Sequence, residues 1–189
     1  MGLFDRVLVD TESPEIARIA KKYGAEVPFL RPAYLATDTA QINDVFLLLL
    51  KRLREEENYH PDIITLLQPP SPIREIEDIK KCHEMMKNPK IKSVCTVCST
   101  HHRFYTMDEK GKLILINEPK KDDANRQAWP NGYILNGCFV YMIRTNVFLK
   151  TKKSVNEDTY GVACPRWRSI DLDYPEDWER AEAIMRETV

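Results

Sequence analysis

The sequence has no long hydrophobic run. Its longest uninterrupted apolar stretch, Val45–Leu50, is about a third of the roughly 20 residues that a membrane-spanning helix requires, and no basic-then-apolar leader opens it. A soluble intracellular protein is therefore expected. Neither charge is in excess: 28 Lys and Arg stand against 29 Asp and Glu, a formal net charge of −1. That balance argues against nucleic acid or an anionic membrane as partner and points to a small, specific ligand. There is no cysteine framework either. Five cysteines, Cys82, Cys95, Cys98, Cys138 and Cys164, are an odd number in a chain too long to need staples, so reduced thiols and a cytoplasmic setting are expected.

Cys95 and Cys98 form a C-x-x-C, but no second such pair follows to complete a zinc site. On a β-like stretch from Ser93 to Ser99 the two thiols face opposite ways, as core residues do. The adjacent His101 and His102 likewise lack a third ligand at metal-binding spacing, and Trp129, Trp167 and Trp178 read as packing residues. Repeats, low-complexity tracts and linkers are absent. With 189 residues and 43% hydrophobic content, the chain suits one domain over 1–189 around one core.

What is present is an alternation of strand and helix signals. Phe4–Asp10 is a short β-rich run. Ser13-Pro14-Glu15 then supplies an N-cap, a first-turn proline and an acidic first turn, the apolar positions Ile16, Ile19, Ala20 and Tyr23 have helical spacing, and Gly24 is placed to end the helix. Asp38-Thr39 reads as the cap of a second helix running to about Glu57. Ile63–Leu67 is apolar on both faces, as a central parallel strand is. A proline-rich loop, 68–74, precedes a helix from Glu75 to about Lys87 and a strand over Lys92–Ser99. Such alternation predicts a mostly parallel sheet wrapped by helices, with ligands at the carboxyl ends of strands. Beyond Ser99 a hairpin is expected, with Arg103–Met107 and Lys112–Ile116 flanking Asp108-Glu-Lys-Gly111. An irregular polar loop over 117–131, a strand over Cys138–Ile143, a short helix over Asn146–Lys150, a strand over Arg168–Asp173 and a terminal helix over Pro175–Glu187 complete the reading.

Three stretches carry candidate chemistry. In Arg168-Ser-Ile-Asp-Leu-Asp173 a strand's two-residue period places Asp171 and Asp173 on one face; such a pair either holds Mg²⁺ shared with substrate phosphates or is simply two solvated acids at a strand end. Leu66-Leu-Gln-Pro-Pro-Ser-Pro-Ile-Arg74 follows the expected central strand and offers Gln68, Ser71 and Arg74 to a ligand, although a stiff loop of this kind can also be only a turn, with Arg74 paired to acids of the next helix. Between Arg126 and Gly137, Arg126 can grip a carboxylate, Gln127 adds an amide, and Asn136 with Gly137 forms one of two Asn-Gly turns; a surface turn is the alternative.

Taken together, FDRVLVDTESPEIARIAKKYGAEVPFLRP at 4–32, LLQPPSPIR at 66–74, the Arg126–Gly137 stretch and RSIDLD at 168–173 resemble, in order, the acylneuraminate cytidylyltransferases, which make CMP-sialic acid and related CMP-nonulosonates. The resemblance implies an α/β, Rossmann-like three-layer fold with a mostly parallel sheet and a β-hairpin dimerisation insertion over about 99–146. It also implies a homodimer and Mg²⁺-dependent transfer of CMP from CTP to an acidic nine-carbon keto sugar with release of pyrophosphate. By matching position, Asp171 and Asp173 would be catalytic metal ligands, Arg126 would bind the sugar carboxylate, and Gln68 and Asn136 would contact the sugar.

Pro70, Tyr105 and Gln41-Ile42 depart from the family's usual residues, which bears on sugar identity more than on fold. The family's strand and Gly-, Ser-, Arg- and Lys-containing CTP loop precede the part matched by Phe4, and no counterpart is visible. An impaired enzyme, or alternatively a non-catalytic sugar-binding or dimerising paralogue, is therefore an expectation too; a related nucleotidyltransferase with another sugar or base is disfavoured by the Gln68 and Asn136 motifs.

Overall fold

In the computed structural model, which describes residues 2–101, 103–117, 125, 129–135 and 140–188, the first helix spans Pro14–Lys22 (α1). The Ser13 hydroxyl accepts the Ile16 N–H at 3.3 Å, and Gly24 ends the turn at φ +86°, a backbone conformation that glycine adopts without a Cβ penalty. Phe4–Asp10 forms only an isolated parallel bridge, Leu8 opposite Glu26, secured by Val9 N–H to Glu26 O (2.9 Å) and Glu26 N–H to Val7 O (2.8 Å). On α1, Ala17 is the buried residue, while Ile16, Ile19 and Tyr23 are exposed.

Contacts group the chain into two compact units, Met1–Ile64 with Ile143–Asn156, and Thr65–Met142 with Glu157–Val189. In the first, α2 spans Ile42–Glu57, later than the Asp38-Thr39 cap implied. Those residues belong to a preceding turn, in which the Thr37 and Thr39 hydroxyls bond each other at 3.3 Å and Ala40 N–H reaches Thr37 O at 3.0 Å; Gln41 becomes the N-cap without a side-chain bond. Leu50 of α2 packs with Ile143 and with Phe148 of helix α4 (Thr145–Thr151), joined by Phe46, Leu47, Ile64 and Val147. Phe46 and Phe148 meet edge to face at 5.8 Å, a favoured aromatic geometry. Arg6 donates to Glu26 and Glu57 and lies 4.9 Å from the Tyr59 ring.

The second unit is built on β2 (Ser93–Thr100). Strand β7 (Thr159–Cys164) runs parallel to it, from Ser93 opposite Thr159 to Cys98 opposite Cys164, and β5 (Gly132–Leu135) pairs antiparallel with Val97–Thr100. The full strand order is β1-β6-β2-β5 with β7 also on β2, where β1 is Ile63–Leu66 and β6 is Tyr141–Arg144. Two expectations change here. The sheet around β2 is mixed, with one antiparallel and one parallel neighbour, where a mostly parallel sheet was expected, and β1, expected to be central, ends the strand order with every residue half-buried. Neither β5 nor β7 was expected, because GYIL lies among Asn-Gly turn signals and TYGVAC carries a glycine. The hairpin is present, β3 (Tyr105–Met107) with β4 (Leu113–Leu115). Helix α3 (Ile76–Met86) follows the proline loop, and α5 spans Pro175–Thr188.

The largest departure is at 168–173, where a strand was expected. After Pro165 the chain makes a 3-10 turn, Arg166–Arg168, and then an irregular segment. Ile170 N–H closes back on Arg168 O at 2.9 Å, a local bond incompatible with a ladder at that point. Ile170 and the half-buried Leu172 join the cluster of Ile73, Ala181 and Ile184, while Asp171 is partly exposed and Asp173 exposed.

Candidate active site

The proline loop closes on itself before it meets anything else. Arg74 Nη2 donates to Gln68 O at 2.8 Å, and Ser71 N–H reaches the same carbonyl at 3.4 Å. Arg74 thus bonds within its own loop. Ser71 is buried at 2% exposure, and its Oγ has no hydrogen-bond partner among the described residues. Pro70 O accepts the Leu172 N–H at 2.9 Å, so the two motifs read separately in the sequence lie side by side.

A second residue ties this loop to the acidic segment. Arg168, buried despite its charge, donates from Nη1 and Nη2 to the Asp78 carboxylate at 2.6 and 3.0 Å. Glu75 N–H (3.1 Å) and the Cys164 thiol (3.3 Å) also donate to Asp78. Burial opposes the charge of Asp78, but Arg168 together with these two donors outweighs it and holds the carboxyl below the usual range. This pair was not foreseen, although a signal was present: Asp78, Cys82 and Met86, spaced four apart, form the buried stripe of α3, and a carboxylate in such a stripe needs a buried cation.

Asp171 shows the opposite shift. Burial raises its carboxyl, the neighbouring Asp173 and Asp177 raise it further, and the Leu172 N–H only partly opposes them. Asp177 is committed elsewhere, accepting the N–H groups of Asp173 (3.2 Å) and Tyr174 (3.0 Å) at the start of α5. Among the described residues no group of three or more His, Cys, Asp or Glu is arranged to hold a metal. The donor set is thus two carboxylates, which suits a hard ion that completes its shell with water and substrate phosphates. Beside Asp173 a cavity of about 450 Å³ is lined by Leu172, Tyr174, Pro175 and Trp178.

Arg126, Gln127, Asn136, Gly137 and His102 lie outside the described residues. Cys82, Cys95, Cys98 and Cys164 are free and buried, and burial pushes the Cys82 thiol up to about 12 and the Cys95 thiol up to about 11. Trp129 packs in the interior, whereas Trp167 and Trp178 are exposed. Among the described residues no helix is long and apolar enough to cross a membrane.

A family model described as Cytidylyltransferase matches residues 1–159. The chain belongs to that family. It is 31% identical over 186 residues to a CMP-N,N'-diacetyllegionaminic acid synthase of Legionella pneumophila, covering 96% of this chain and 78% of the relative. An N-acylneuraminate cytidylyltransferase of Oncorhynchus mykiss is 27% identical over 182 residues, 95% of this chain and 40% of that protein. The structure of a CMP:2-keto-3-deoxy-manno-octonic acid synthetase complexed with CTP superposes with a TM-score of 0.61 at 14% identity, covering 97% of this chain and 82% of that one. The α/β fold is thereby shared with a CTP-using enzyme, and the sialic-acid-type cytidylyltransferase resemblance read from the motifs is borne out.

Proposed function

We propose that this cytidylyltransferase activates a nonulosonic acid, an acidic nine-carbon keto sugar, by transferring CMP to it from CTP. The observation that carries the reading is the 2.9 Å bond from Leu172 N–H to Pro70 O, which sets the acidic pair against the proline loop in a chain of this family. The anomeric oxygen of the sugar forms a bond to the α-phosphorus of CTP. The bond to the oxygen bridging to the β-phosphate breaks, pyrophosphate leaves with the electron pair, and the hydroxyl proton is released.

Asp171 and Asp173 would hold Mg²⁺, which when bound neutralises phosphate charge during transfer. The fit rests on the donor set: burial raises the Asp171 carboxyl first, and Asp173 and Asp177 raise it further with negative charge that a divalent cation would offset. Gln68 and Asn136 would contact the sugar, Arg126 would take its carboxylate, and Gln127 and Gly137 are further substrate-binding candidates. Ser71 offers an unpaired hydroxyl, while Arg74 shapes the loop through its bond to Gln68 O.

The finer architecture we infer is Rossmann-like, with the hairpin region at 99–146 serving a homodimer. Met107, Leu113, Ile114 and Ile116 are 50–70% exposed, a clustering of apolar side chains at one hairpin that favours a protein interface over open solvent. The free, buried thiols favour a reducing cytoplasm.

The test is pyrophosphate release from CTP, with Mg²⁺ or with EDTA, across sialic, legionaminic and pseudaminic acids and an eight-carbon octulosonic acid. Metal-dependent turnover with a nine-carbon acid is expected. Turnover confined to the octulosonic acid would remove the substrate assignment.

A further inference from the structure

We propose that Arg168 and Asp78 are positioning residues for the acidic segment, fixing where Asp171 and Asp173 present their carboxylates. The proposal rests on the reading of those two residues as metal ligands. Arg168 lies three residues before Asp171, at the end of the 3-10 turn and at the start of the irregular segment that replaces the expected strand. That segment has no ladder to set its course, so the anchors at its ends matter more than they would in a sheet.

The anchor at Arg168 is unusually well determined. Its guanidinium and the Asp78 carboxylate are 4% and 1% exposed, and the fork binds both carboxylate oxygens, at 2.6 and 3.0 Å. Each oxygen also takes a second donor, Oδ1 the Cys164 thiol and Oδ2 the Glu75 N–H. Arg168 Nη1 further reaches Ile73 O at 3.5 Å, and its Nε lies 3.5 Å from Glu75 Oε1. One side chain therefore touches the end of the proline loop, the start of α3 and, through Asp78, the end of β7. From the same loop Pro70 O takes the Leu172 N–H, at 2.9 Å, between the two candidate ligands.

Stability alone does not call for such a pair, because well-packed apolar residues often hold a buried site as well as an ion pair does. What an apolar pair lacks is direction. A bidentate guanidinium fixes orientation as well as distance, and a metal site needs its ligands held to within about half an ångström. Groups that orient ligands from behind typically change metal affinity about 10- to 100-fold when lost.

The experiment measures Mn²⁺ binding to the full chain by electron paramagnetic resonance of the free ion, with folding checked by circular dichroism. Arg168→Lys, which keeps the charge but loses the fork, should raise the half-saturating Mn²⁺ concentration roughly 10-fold or more. The double variant Arg168→Met/Asp78→Leu leaves no lone buried charge and should fold, yet bind Mn²⁺ as weakly. Lys92→Ala, which breaks the exposed pair to Asp158, should bind as wild type. If either clamp variant is folded and binds Mn²⁺ as wild type while Asp171→Asn has lost binding, the positioning role is wrong. If Asp171→Asn itself binds as wild type, the metal reading falls first and this proposal falls with it.

Discussion

Replacing Asp78 with alanine should be among the most damaging single changes available in the second unit. The perturbation leaves the Arg168 guanidinium buried without its carboxylate, and removes the acceptor used by Glu75 N–H and the Cys164 thiol. Breaking a buried pair on one side typically costs about 3–5 kcal/mol, a large share of the roughly 5–15 kcal/mol that separates folded from unfolded states. With a urea slope of about 2 kcal/mol/M, the midpoint should fall by roughly 2 M. The double replacement Arg168→Met/Asp78→Leu should recover most of that loss, since neither charge is then stranded, so the two sites should couple strongly in a double-mutant cycle.

The pH dependence of the same cycle gives a second check. The Asp78 carboxyl is held below its usual range when folded, so its contribution is fully present above the unfolded value, about 3.9. It is lost as pH falls through the lower, folded value. The wild type should therefore lose its advantage over Asp78→Ala only in acid, while the apolar double variant should be flatter across that range. Urea titrations from pH 7 down to the acid limit would show it. An Asp78→Ala penalty below about 1 kcal/mol at neutral pH, a value ordinary for a surface change, would refute the account of a charge-assisted buried clamp.

Three further outcomes are expected. Asp171→Asn should raise the melting temperature in metal-free buffer at neutral pH. Because the Asp171 carboxyl is raised by burial and by Asp173 and Asp177, its favourable contribution is present below the ordinary carboxylate range and lost as pH rises through the folded value; the gain should vanish in acid, and calorimetry at two pH values checks both. Cys82 and Cys95, with thiols pushed up to about 12 and about 11, should resist a thiol reagent at pH 8 until urea opens the fold. If the chain forms the proposed homodimer, Met107→Lys with Ile114→Lys, on the exposed hairpin, should shift sedimentation from dimer to monomer; an unchanged dimer would place the interface elsewhere, and a monomeric wild type would remove the proposed homodimer.

Helix ends with local chemistry were readable from the sequence. Ser13, Pro14 and Gly24 bracket α1 because capping and positive φ are decided within a few residues. The same logic failed at Asp38-Thr39, because the hydroxyls of Thr37 and Thr39 could serve a turn as easily as a cap, and the turn took them. Strand identity was less legible, since a strand is defined by what lies beside it. RSIDLD has strand periodicity, yet Pro165 and the buried Arg168 turn the chain before a ladder can form. TYGVAC, with little periodicity, becomes β7 because β2 is there to pair with it. Ile170, the one fully buried apolar residue of RSIDLD, packs with Ile73 and Ala181 and with the half-buried Leu172, while Asp173 is exposed. The Arg168–Asp78 pair could be suspected only from a carboxylate in an apolar helical stripe, and its partner could not be named before the fold joined them.

The two carboxylate environments in this unit separate structural charge from functional charge. Asp78 and Asp171 both pay a desolvation penalty, and both lie near the same loop. Asp78 receives a guanidinium fork, a backbone N–H and a thiol, and its carboxyl falls. Asp171 has further carboxylates as neighbours, and its carboxyl rises. The fold thus neutralises the acid that holds the loop and leaves Asp171 under burial and repulsion together. Arg168, only three residues away, is already committed to Asp78, and Arg74 donates to Gln68 O. Repulsion of this kind works against stability, so an arrangement that retains it makes sense where a positive ligand relieves it. In the proposed reaction a divalent cation arriving with a triphosphate would supply that charge.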